Sequence, residues 1–239
     1  MKRKDDVYFD GESAFGVRLE DLVLEEWRSR FKLGGVLFEI GVPGRHNVSN
    51  AMAAIAAGRM LGVSMAVCAE GIRRFRGVER RYVKMGETRG ITVVDDFAHN
   101  PSKVAAALET AKGRKLGKNR RVLAVFHPHG FAPMKLMGRE IMDAVAESLD
   151  QGDRFYMPEI FYAGGTADKT ISSADLIAAL NAKKPIGTFL PTKIEILRAV
   201  TAEARPGDFV ISMGARDPAL DSFAKDLLSE ITAQQVEHS

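Results

Sequence analysis

Histidines are the first residues in this sequence whose positions point to chemistry. Of the five histidines, His99, His127 and His129 each follow a short apolar segment that is typical of a buried strand, and His46 stands at the start of a helical segment. A lone histidine is more often structural than functional. In an α/β sheet, however, ligands bind beyond the carboxyl ends of the strands. Three histidines at strand ends therefore indicate a site.

Two adjacent carboxylates, Asp95 and Asp96, end the predicted strand that precedes His99. Asn100 and Pro101 then open a helix, where the asparagine can cap the helix and the missing proline N–H costs nothing. Capping accounts for Asn100, but two neighbouring buried aspartates repel each other and are costly to desolvate. A ribose diol, a cation or an arginine partner would each account for the pair. We favour a binding role for Asp96.

Residues 41–51 place a Pro-Gly turn before a helix that starts at His46 or Asn47. Asn47 and Asn50 are three residues apart, so they share one helix face. The alternative role for Asn47 is to cap the N-terminus of this helix. Asn50 has poor propensity for the helix interior and needs an outside partner. A carboxamide both donates and accepts, which suits the edge of a purine.

Two further segments end predicted strands. His127 and His129 could bind a metal, but no nearby carboxylate or cysteine completes a ligand set, so we expect contact with an anionic or amide-bearing substrate instead. Residues 211–218 form a strand, a turn and a helix start with Asp217 as the cap. The alternatives for this second segment are a purely structural turn or backbone N–H groups offered to an anion.

The apolar pattern after residue 85 predicts the scaffold for these side chains. Short buried strands alternate with helices, which favours an α/β fold with a mostly parallel sheet covered on both faces. The predicted strands are 91–94, 122–126, 154–157, 188–190 and 209–213, and the predicted helices are 101–111, 134–149, 172–182, 193–203 and 218–231.

The pattern before residue 85 is less regular. Helices are predicted at 47–61 and 65–76, and short strands at 7–9 and 36–40. Residues 19–28 are also compatible with a helix. The change of pattern and the polar stretch 84–89 indicate a domain boundary there, which gives domains of residues 1–85 and 86–239.

Composition excludes several classes of protein. The 239 residues are 46% hydrophobic and 27% charged, as expected of a globular chain. The net charge is +3 but the basic residues are spread along the chain, so we expect no nucleic-acid partner. No apolar run reaches the length of a membrane span. Cys68 is the only cysteine, which excludes an intrachain disulfide and is consistent with a reduced, cytoplasmic compartment.

Three segments together resemble the Mur ligase family. Residues 42–51 resemble the family's helix entry, where asparagines contact the adenine. Residues 75–81 resemble the segment between its central and C-terminal domains, whose nucleotide-contacting arginine matches Arg81. Residues 94–101 resemble the start of the C-terminal domain, where the ribose-binding aspartate matches Asp96. The nucleotide-binding residues implied by the resemblance are His46, Asn47, Asn50, Arg81 and Asp96.

The resemblance implies an activity and its cofactors. Mur ligases phosphorylate a carboxylate with ATP and Mg²⁺, and an amine then attacks the acyl phosphate to give an amide. The implied partners are UDP-N-acetylmuramate and an amino acid or peptide, in peptidoglycan precursor synthesis. The implied fold is a Rossmann-like C-terminal domain preceded by the end of the central ATP-binding domain.

No catalytic or metal-binding residue is assigned, because the sequence contains no phosphate loop. Residues 113–119 superficially resemble one, but three residues rather than four separate the glycines, and Asn119 stands where Ser or Thr would hold magnesium. We therefore expect a ligase fragment that is inactive alone. The alternatives are a murein tripeptide ligase, a folate-type polyglutamate ligase, or a non-catalytic nucleotide-binding or interaction module derived from the family. The oligomeric state is not predicted.

The region after the predicted strand 122–126 combines features of two branches of the family. Its His-Pro-His is typical of the alanine-adding enzymes and its Met-Lys of the tripeptide-adding enzymes, but the arginine of neither branch is present. The carboxylate of the incoming amino acid needs a cation, for which Lys135 and Arg139 are the candidates. The expected substrate-binding residues are His99, Asn100, His127, His129, Lys135 and Arg139.

Overall fold

A computed structural model of the chain describes residues 13–14, 17–113, 118, 120–162, 164, 169–217 and 219–234. They form two compact units, which divide between Val78 and Glu79. The strand expected at residues 7–9, most of the loop at 113–119 and Pro218 lie outside the described residues. No helix in the described ranges is both long and apolar enough to cross a membrane.

The first unit contains an antiparallel four-stranded sheet in which the strands follow chain order. The strands are β1 Ser13–Ala14, β2 Val17–Leu24, β3 Ser29–Leu33 and β4 Val36–Ile40. The helix considered for residues 19–28 is wrong, because these residues form most of β2 and the turn into β3. Exposure along β2 mostly alternates from one residue to the next, as in a strand with one covered face. Gly34 and Gly35, with φ of 57° and 75°, make the two-residue turn between β3 and β4.

Two helices complete the first unit, α1 Arg45–Met60 and α2 Met65–Arg74, and both were predicted from the sequence. One side of α1 packs against the sheet, where the rings of Phe31 and Phe38 stack with centroids 5.3 Å apart. The core of this unit consists of Phe31, Leu33, Phe38, Ile40, Val42, Val48, Ala51, Met52, Ile55 and Ala56.

The second unit is a mixed α/β domain with a six-stranded sheet in the order β5-β6-β10-β7-β8-β9. All neighbouring pairs from β6 to β9 are parallel, as predicted. The strands are β5 Val83–Thr88, β6 Ile91–Asp96, β7 Val122–His127, β8 Arg154–Met157, β9 Gly187–Phe189 and β10 Phe209–Gly214. The helices are α3 Pro101–Lys112, α4 Phe131–Ser148, α5 Ser173–Lys183, α6 Lys193–Glu203 and α7 Leu220–Ala233.

Strand β5 was not predicted, and it moves the boundary between the units. The polar stretch taken for a linker pairs antiparallel with β6, from Val83 opposite Asp95 to Thr88 opposite Ile91. Arg89 and Gly90, with φ of 54° and 70°, form the tight turn between the two strands. The expected limit at residues 85/86 therefore falls inside a strand of the second unit.

Helices cover both faces of this sheet. On one face, Ile91, Val93 and Val210 pack with α6 and α7 in a single buried cluster. On the other face, α3, α4 and α5 contact one another in sequence. With both faces covered, polar side chains that come from the sheet can reach a ligand only at its edges or ends.

The second unit should fold by itself, because every strand of its sheet pairs within residues 79–239. We expect this fragment to unfold in one cooperative transition when circular dichroism is followed during heating. A fragment of residues 91–239 is the matched comparison: it lacks β5, which uncovers one edge of β6, and it should melt at a lower temperature. A non-cooperative transition for residues 79–239 would contradict the prediction.

Candidate functional site

The central strands of the second unit bring the predicted site segments to one edge of the sheet. β10 lies between β6 and β7, with Met213 opposite Asp96 and Gly214 opposite His127. The three strands run parallel, so the turns that follow them leave the sheet side by side. Asp96, His129 and the turn after Gly214 therefore share the carboxyl edge, where the sequence placed a site.

Asp95 and Asp96 differ in their partners. Asp95 is 4% exposed and accepts a hydrogen bond from Arg80 Nε at 2.9 Å. This is the arginine partner that the sequence left open, and it gives Asp95 a structural role. Asp96 Oδ1 accepts from the Ala98 backbone N–H at 2.6 Å. No ion pair of Asp96 is found in the described residues, so its carboxylate is the one available to a ligand.

The environment of Asp96 shifts its ionisation. Burial raises the pKa of this carboxyl from the ordinary 3.8 to about 6, although hydrogen bonds from the Ala98 and Tyr82 backbone and the charge of Arg81 act in the opposite direction. A carboxylate that is buried despite the cost of its desolvation is characteristic of functional sites. It would gain more than an exposed carboxylate from a ligand hydroxyl that donates to it.

Arginines surround the aromatic residue next to Asp96. The guanidinium carbons of Arg80 and Arg81 lie 5.4 Å and 5.3 Å from the centroid of the Phe97 ring. Arg80 is committed to Asp95 and to the carbonyl of Gly214, to which its Nη2 donates at 3.2 Å. Arg81 is exposed. Of the two, Arg81 is therefore the one placed to contact a ligand beside Asp96, which keeps it as the predicted nucleotide residue.

His99 and His129 lie together at this edge. Their ring centroids are 5.7 Å apart, and His99 Nδ1 is 2.8 Å from the carbonyl oxygen of Phe97. His129 is 8% exposed, and its Nδ1 has no partner among the described residues. Burial, His99 and Arg216 all lower the pKa of His129. The imidazole is therefore neutral at physiological pH and can accept a hydrogen bond.

The turn that carries His129 is fixed from one side. His129 forms a bridge with Phe161, Gly130 N–H donates to the Phe161 carbonyl at 2.8 Å, and Phe161 N–H donates to the Pro128 carbonyl at 2.9 Å. These bonds fix the backbone from which the His129 side chain projects.

His127 has a different environment from the other two histidines. It is the last residue of β7, is 1% exposed, and packs edge-on against Phe223 with ring centroids 4.6 Å apart. Neither ring nitrogen has a hydrogen-bond partner among the described residues. The predicted contact of His127 with a substrate stays a prediction, and in this structure the side chain offers almost no surface for it.

Burial and the charges of Lys193 and Arg80 lower the pKa of His127 to about 3, against the opposite effect of Asp217. A histidine with a lowered folded-state pKa stabilises the fold above its unfolded pKa of about 6.5, and this stability is lost as pH falls toward the folded value. We expect His127→Leu to flatten the loss of stability between pH 6.5 and 4.5 in thermal melts. An unchanged pH dependence would contradict the assigned burial.

The remaining predicted substrate residues lie on or before helices. Asn100 caps α3, with its Oδ1 accepting from Lys103 N–H at 3.0 Å, so the structural role considered for it is observed. Lys135 and Arg139 are exposed on α4, and each directly follows a buried residue, Met134 or Gly138. A helix rises about 1.5 Å per residue, so Arg139 is roughly 12 Å along α4 from its first residue, Phe131.

In the first unit, α1 carries the predicted purine-binding residues. Gly44 rather than Asn47 is the N-cap, and Asn47 Nδ2 instead donates to the Pro43 carbonyl at 2.7 Å. Asn50 is exposed, with its Nδ2 3.5 Å from Asn47 Oδ1, a weak hydrogen bond. His46 is also exposed. The expectation that the asparagines share one face is met, and the carboxamide of Asn50 is accessible.

The sequence did not single out Arg216, although it lies at this edge. It is exposed and has a φ of 64°, which is unusual for a residue other than glycine. Its neighbour Asp217 accepts a hydrogen bond from the Ala219 N–H at 3.0 Å and forms an ion pair with Lys193. The prediction of Asp217 as the helix cap is wrong, because the N-cap of α7 is Ala219. No cluster of three or more histidine, cysteine, aspartate or glutamate residues that could hold a metal ion occurs in the described ranges.

Comparison with known proteins gives consistent matches. A family model described as "Mur ligase, glutamate ligase domain" matches residues 80–216. UDP-N-acetylmuramate–L-alanine ligase of Pelotomaculum thermopropionicum is 39% identical over 189 residues, covering 77% of this chain and 39% of the relative. The corresponding protein of Gloeobacter violaceus is 39% identical over 185 residues, covering 76% and 38%. This chain thus spans about two fifths of these curated relatives.

Solved structures show the same fold. UDP-N-acetylmuramate–alanine ligase from Thermotoga maritima aligns with a TM-score of 0.74 and 22% identity, covering 96% of this chain and 48% of that one. MurF from Acinetobacter baumannii aligns with a TM-score of 0.70 and 18% identity, covering 93% and 46%. At these identities the likeness concerns the fold alone.

Proposed function

The chain belongs to the Mur ligase family, and we propose that it forms part of a ligase that uses ATP to join an amino acid or peptide amine to the carboxylate of UDP-N-acetylmuramate. The names of the 39% identical relatives support the substrates. The observation that carries the proposal is the carboxyl edge of the second unit. It sets Asp96, whose carboxyl has a raised pKa, at the end of β6 and the neutral His129 just after the end of β7, with β10 between the two strands.

In this proposal the nucleotide residues bind the neutral parts of ATP. Asp96 accepts a hydrogen bond from a ribose hydroxyl, and its 9% exposure means that the bond forms with little competition from water. Arg81 beside Phe97 adds positive charge next to it. Asn50 on α1 is assigned to the purine edge, with Asn47 and His46 beside it in sequence. Mg²⁺ would supply charge compensation for the phosphates, and no described residue is assigned to it.

The proposed role of His129 and His99 is to bind the amine substrate. ATP converts the substrate carboxylate to an acyl phosphate, the amine nitrogen forms the new C–N bond, and phosphate leaves as the C–O bond breaks. The amine must lose a proton in the process. The neutral imidazole of His129 is suited to accept a hydrogen bond from it, and His99 holds the neighbouring position.

The sequence contains no phosphate loop. We expect this chain alone to release no phosphate from ATP in the presence of Mg²⁺, UDP-N-acetylmuramate and amino acids. Without the charge-assisted phosphate contacts, its ATP affinity should also be weaker than micromolar in a calorimetric titration.

The complete polypeptide that carries these residues tests the proposal. It should release phosphate only when ATP, UDP-N-acetylmuramate and an amine are all present. Asp96→Ala should raise the KM for ATP, whereas His129→Ala should raise the KM for the amine or lower kcat while the KM for ATP holds. The proposal is wrong if no amino acid or peptide supports phosphate release, which would favour a non-catalytic nucleotide-binding module.

A further inference from the structure

Arg80 reaches across one end of three neighbouring strands. It lies just before β5, whose first residue pairs opposite Asp95 of β6. Its Nε donates to the Asp95 carboxylate at 2.9 Å, and its Nη2 donates to the carbonyl of Gly214, the last residue of β10, at 3.2 Å. The side chain of Arg80 is 17% exposed and that of Asp95 is 6% exposed. Charge-assisted hydrogen bonds that are shielded from water in this way hold a fixed geometry.

The backbone on both sides of Arg81 is held as well. Arg80 and Tyr82 have left-handed φ angles of 56° and 55°, which cost free energy in residues other than glycine. The Arg80 carbonyl accepts a hydrogen bond from the Phe97 N–H at 2.6 Å. Tyr82 is 5% exposed, and its ring stacks with the ring of Phe209 at a centroid distance of 6.2 Å. Arg81 is therefore an exposed residue between two anchored neighbours in a strained segment.

This anchoring sets Arg81 beside Asp96. The guanidinium carbon of Arg81 is 5.3 Å from the ring centroid of Phe97, the residue that follows Asp96. The charge of Arg81 also acts to lower the pKa of the Asp96 carboxyl, against the larger effect of burial. Within the described residues, the guanidinium of Arg81 forms no hydrogen bond or ion pair. Its direction toward Asp96 therefore depends on the backbone that Arg80 and Tyr82 hold.

We propose that Arg80 is a positioning residue for nucleotide binding, which keeps Arg81 and Asp96 at the spacing that one adenine nucleotide bridges. The inference rests on the proposed nucleotide-binding roles of Arg81 and Asp96, and Arg80 itself is not a ligand contact. Without the Arg80 side chain, the left-handed segment loses bonds that offset its strain. Its backbone can then relax, which turns Arg81 away from Asp96.

The affinity of this chain for ADP, measured by nuclear magnetic resonance titration of its backbone amides, tests the proposal without requiring catalysis. Arg80→Ala should weaken ADP binding about tenfold, the effect of losing one hydrogen bond to a charged group. Arg80→Lys keeps the positive charge beside Asp95 but cannot reproduce the forked geometry of a guanidinium. It should therefore fold, and it should weaken ADP binding by a smaller factor.

A double variant separates positioning from general destabilisation. If Arg80 acts through Arg81, Arg80→Ala should have almost no further effect on ADP affinity in a chain that already carries Arg81→Ala. Effects of residues that act through one shared contact are not additive, whereas independent effects are.

Arg121→Ala is the matched control, because Arg121 makes the same kind of clamp at the opposite end of the same sheet. Its Nε and Nη2 donate to the buried Asp208 carboxylate at 2.9 Å and 2.6 Å, and Nη2 also donates to the Glu203 carbonyl at 2.8 Å. The substitution should lower Tm and leave the ADP affinity unchanged. Arg121→Lys serves the same purpose where the alanine variant does not fold.

Three results would overturn the proposal: equal ADP affinities of the wild-type chain and Arg80→Ala, additive losses in the double variant, or an equal loss of affinity in the Arg121 variant. Absence of ADP binding would refute it together with the nucleotide-binding roles of Arg81 and Asp96. An inactive complete polypeptide whose chain still loses ADP affinity on Arg80→Ala would refute the ligase function alone and leave this inference standing.

Discussion

Replacing Asp96 with asparagine should raise the free energy of unfolding by about 2 kcal/mol above pH 7 while weakening the binding of adenine nucleotides. Burial raises the pKa of this carboxyl to about 6, so the folded state disfavours the charge that Asp96 carries at neutral pH. Asparagine removes the charge, and its side-chain oxygen can still accept the Ala98 N–H. For a chain of this size we expect a rise in Tm of about 5 °C.

The pH dependence identifies the cause. A carboxyl with a raised folded-state pKa contributes stability that is present below its unfolded pKa near 3.8 and is lost as pH rises through about 6. The stabilisation by Asp96→Asn should therefore be full above pH 7 and disappear toward pH 4. Thermal melts across this range provide the measurement. A gain of equal size at every pH would show that packing, rather than charge, is responsible.

Asp175 is a matched control, because its pKa is shifted in the opposite direction to that of Asp96. It lies in the capping box of α5, where hydrogen bonds from the Ser172 side chain and backbone lower its pKa. Its stabilising effect is present above the unfolded pKa and is lost as pH falls through the folded value. Asp175→Asn should accordingly lower Tm at neutral pH. Only Asp96 should also affect nucleotide affinity.

The alternation of strands and helices in the second unit was predictable because its signals are local. Each parallel strand is buried on both faces and appears in the sequence as a short apolar run. Asn100 before Pro101 and Ser172 three residues before Asp175 are helix-start signals that the structure confirms as caps. Predicted and observed ends in this unit differ by no more than three residues. Long-range contacts were not needed for any of these assignments.

The elements that the sequence did not predict depend on contacts between distant residues or on weak patterns. β2 carries charged residues on its exposed face and has a bulge near Asp21, so its alternation is interrupted. β5 is an edge strand with polar residues, and its pairing with β6 is what identifies it. Neither the β-propensity nor the hydrophobic periodicity of a single segment distinguishes such strands from a linker.

The same limit applies to the candidate site. The sequence identified the strand ends, which determine where Asp96 and His129 lie. It could not separate His127 from His129, because both lie at the end of the same predicted strand. What distinguishes them is the packing of His127 against Phe223, which belongs to a distant helix. Arg216 lies in the segment 211–218, but its position at this edge depends on the register between β10 and β7, which the sequence does not contain.

Gly214→Ala should lower the free energy of unfolding by about 3 kcal/mol, because a side chain at this position has no room. A Cβ would lie 2.9 Å from both the Cβ and the carbonyl oxygen of His127 and 3.0 Å from Leu220 Cδ1. The backbone φ of 150° adds strain for any residue but glycine. The carbonyl belongs to the neighbouring strand and cannot rotate away as a flexible side chain could. Denaturant unfolding followed by circular dichroism measures the loss.

Gly152→Ala is the control, because a Cβ there would have no atom within 4 Å and its φ lies outside the left-handed region. Its effect should stay within about 0.5 kcal/mol. If Gly214→Ala is equally mild, β10 and β7 are not as close at their carboxyl ends as described.

The Gly214 variant also connects the packing of the sheet to the site. Relief of the clash requires β10 to move away from the end of β7, which separates the turn carrying Arg216 from the turn carrying His129. Where the variant remains folded, the KM of the complete polypeptide for the amine should therefore rise, although His129 is still present. An unchanged KM for the amine in a destabilised Gly214→Ala polypeptide would show that the spacing of these two turns does not govern binding.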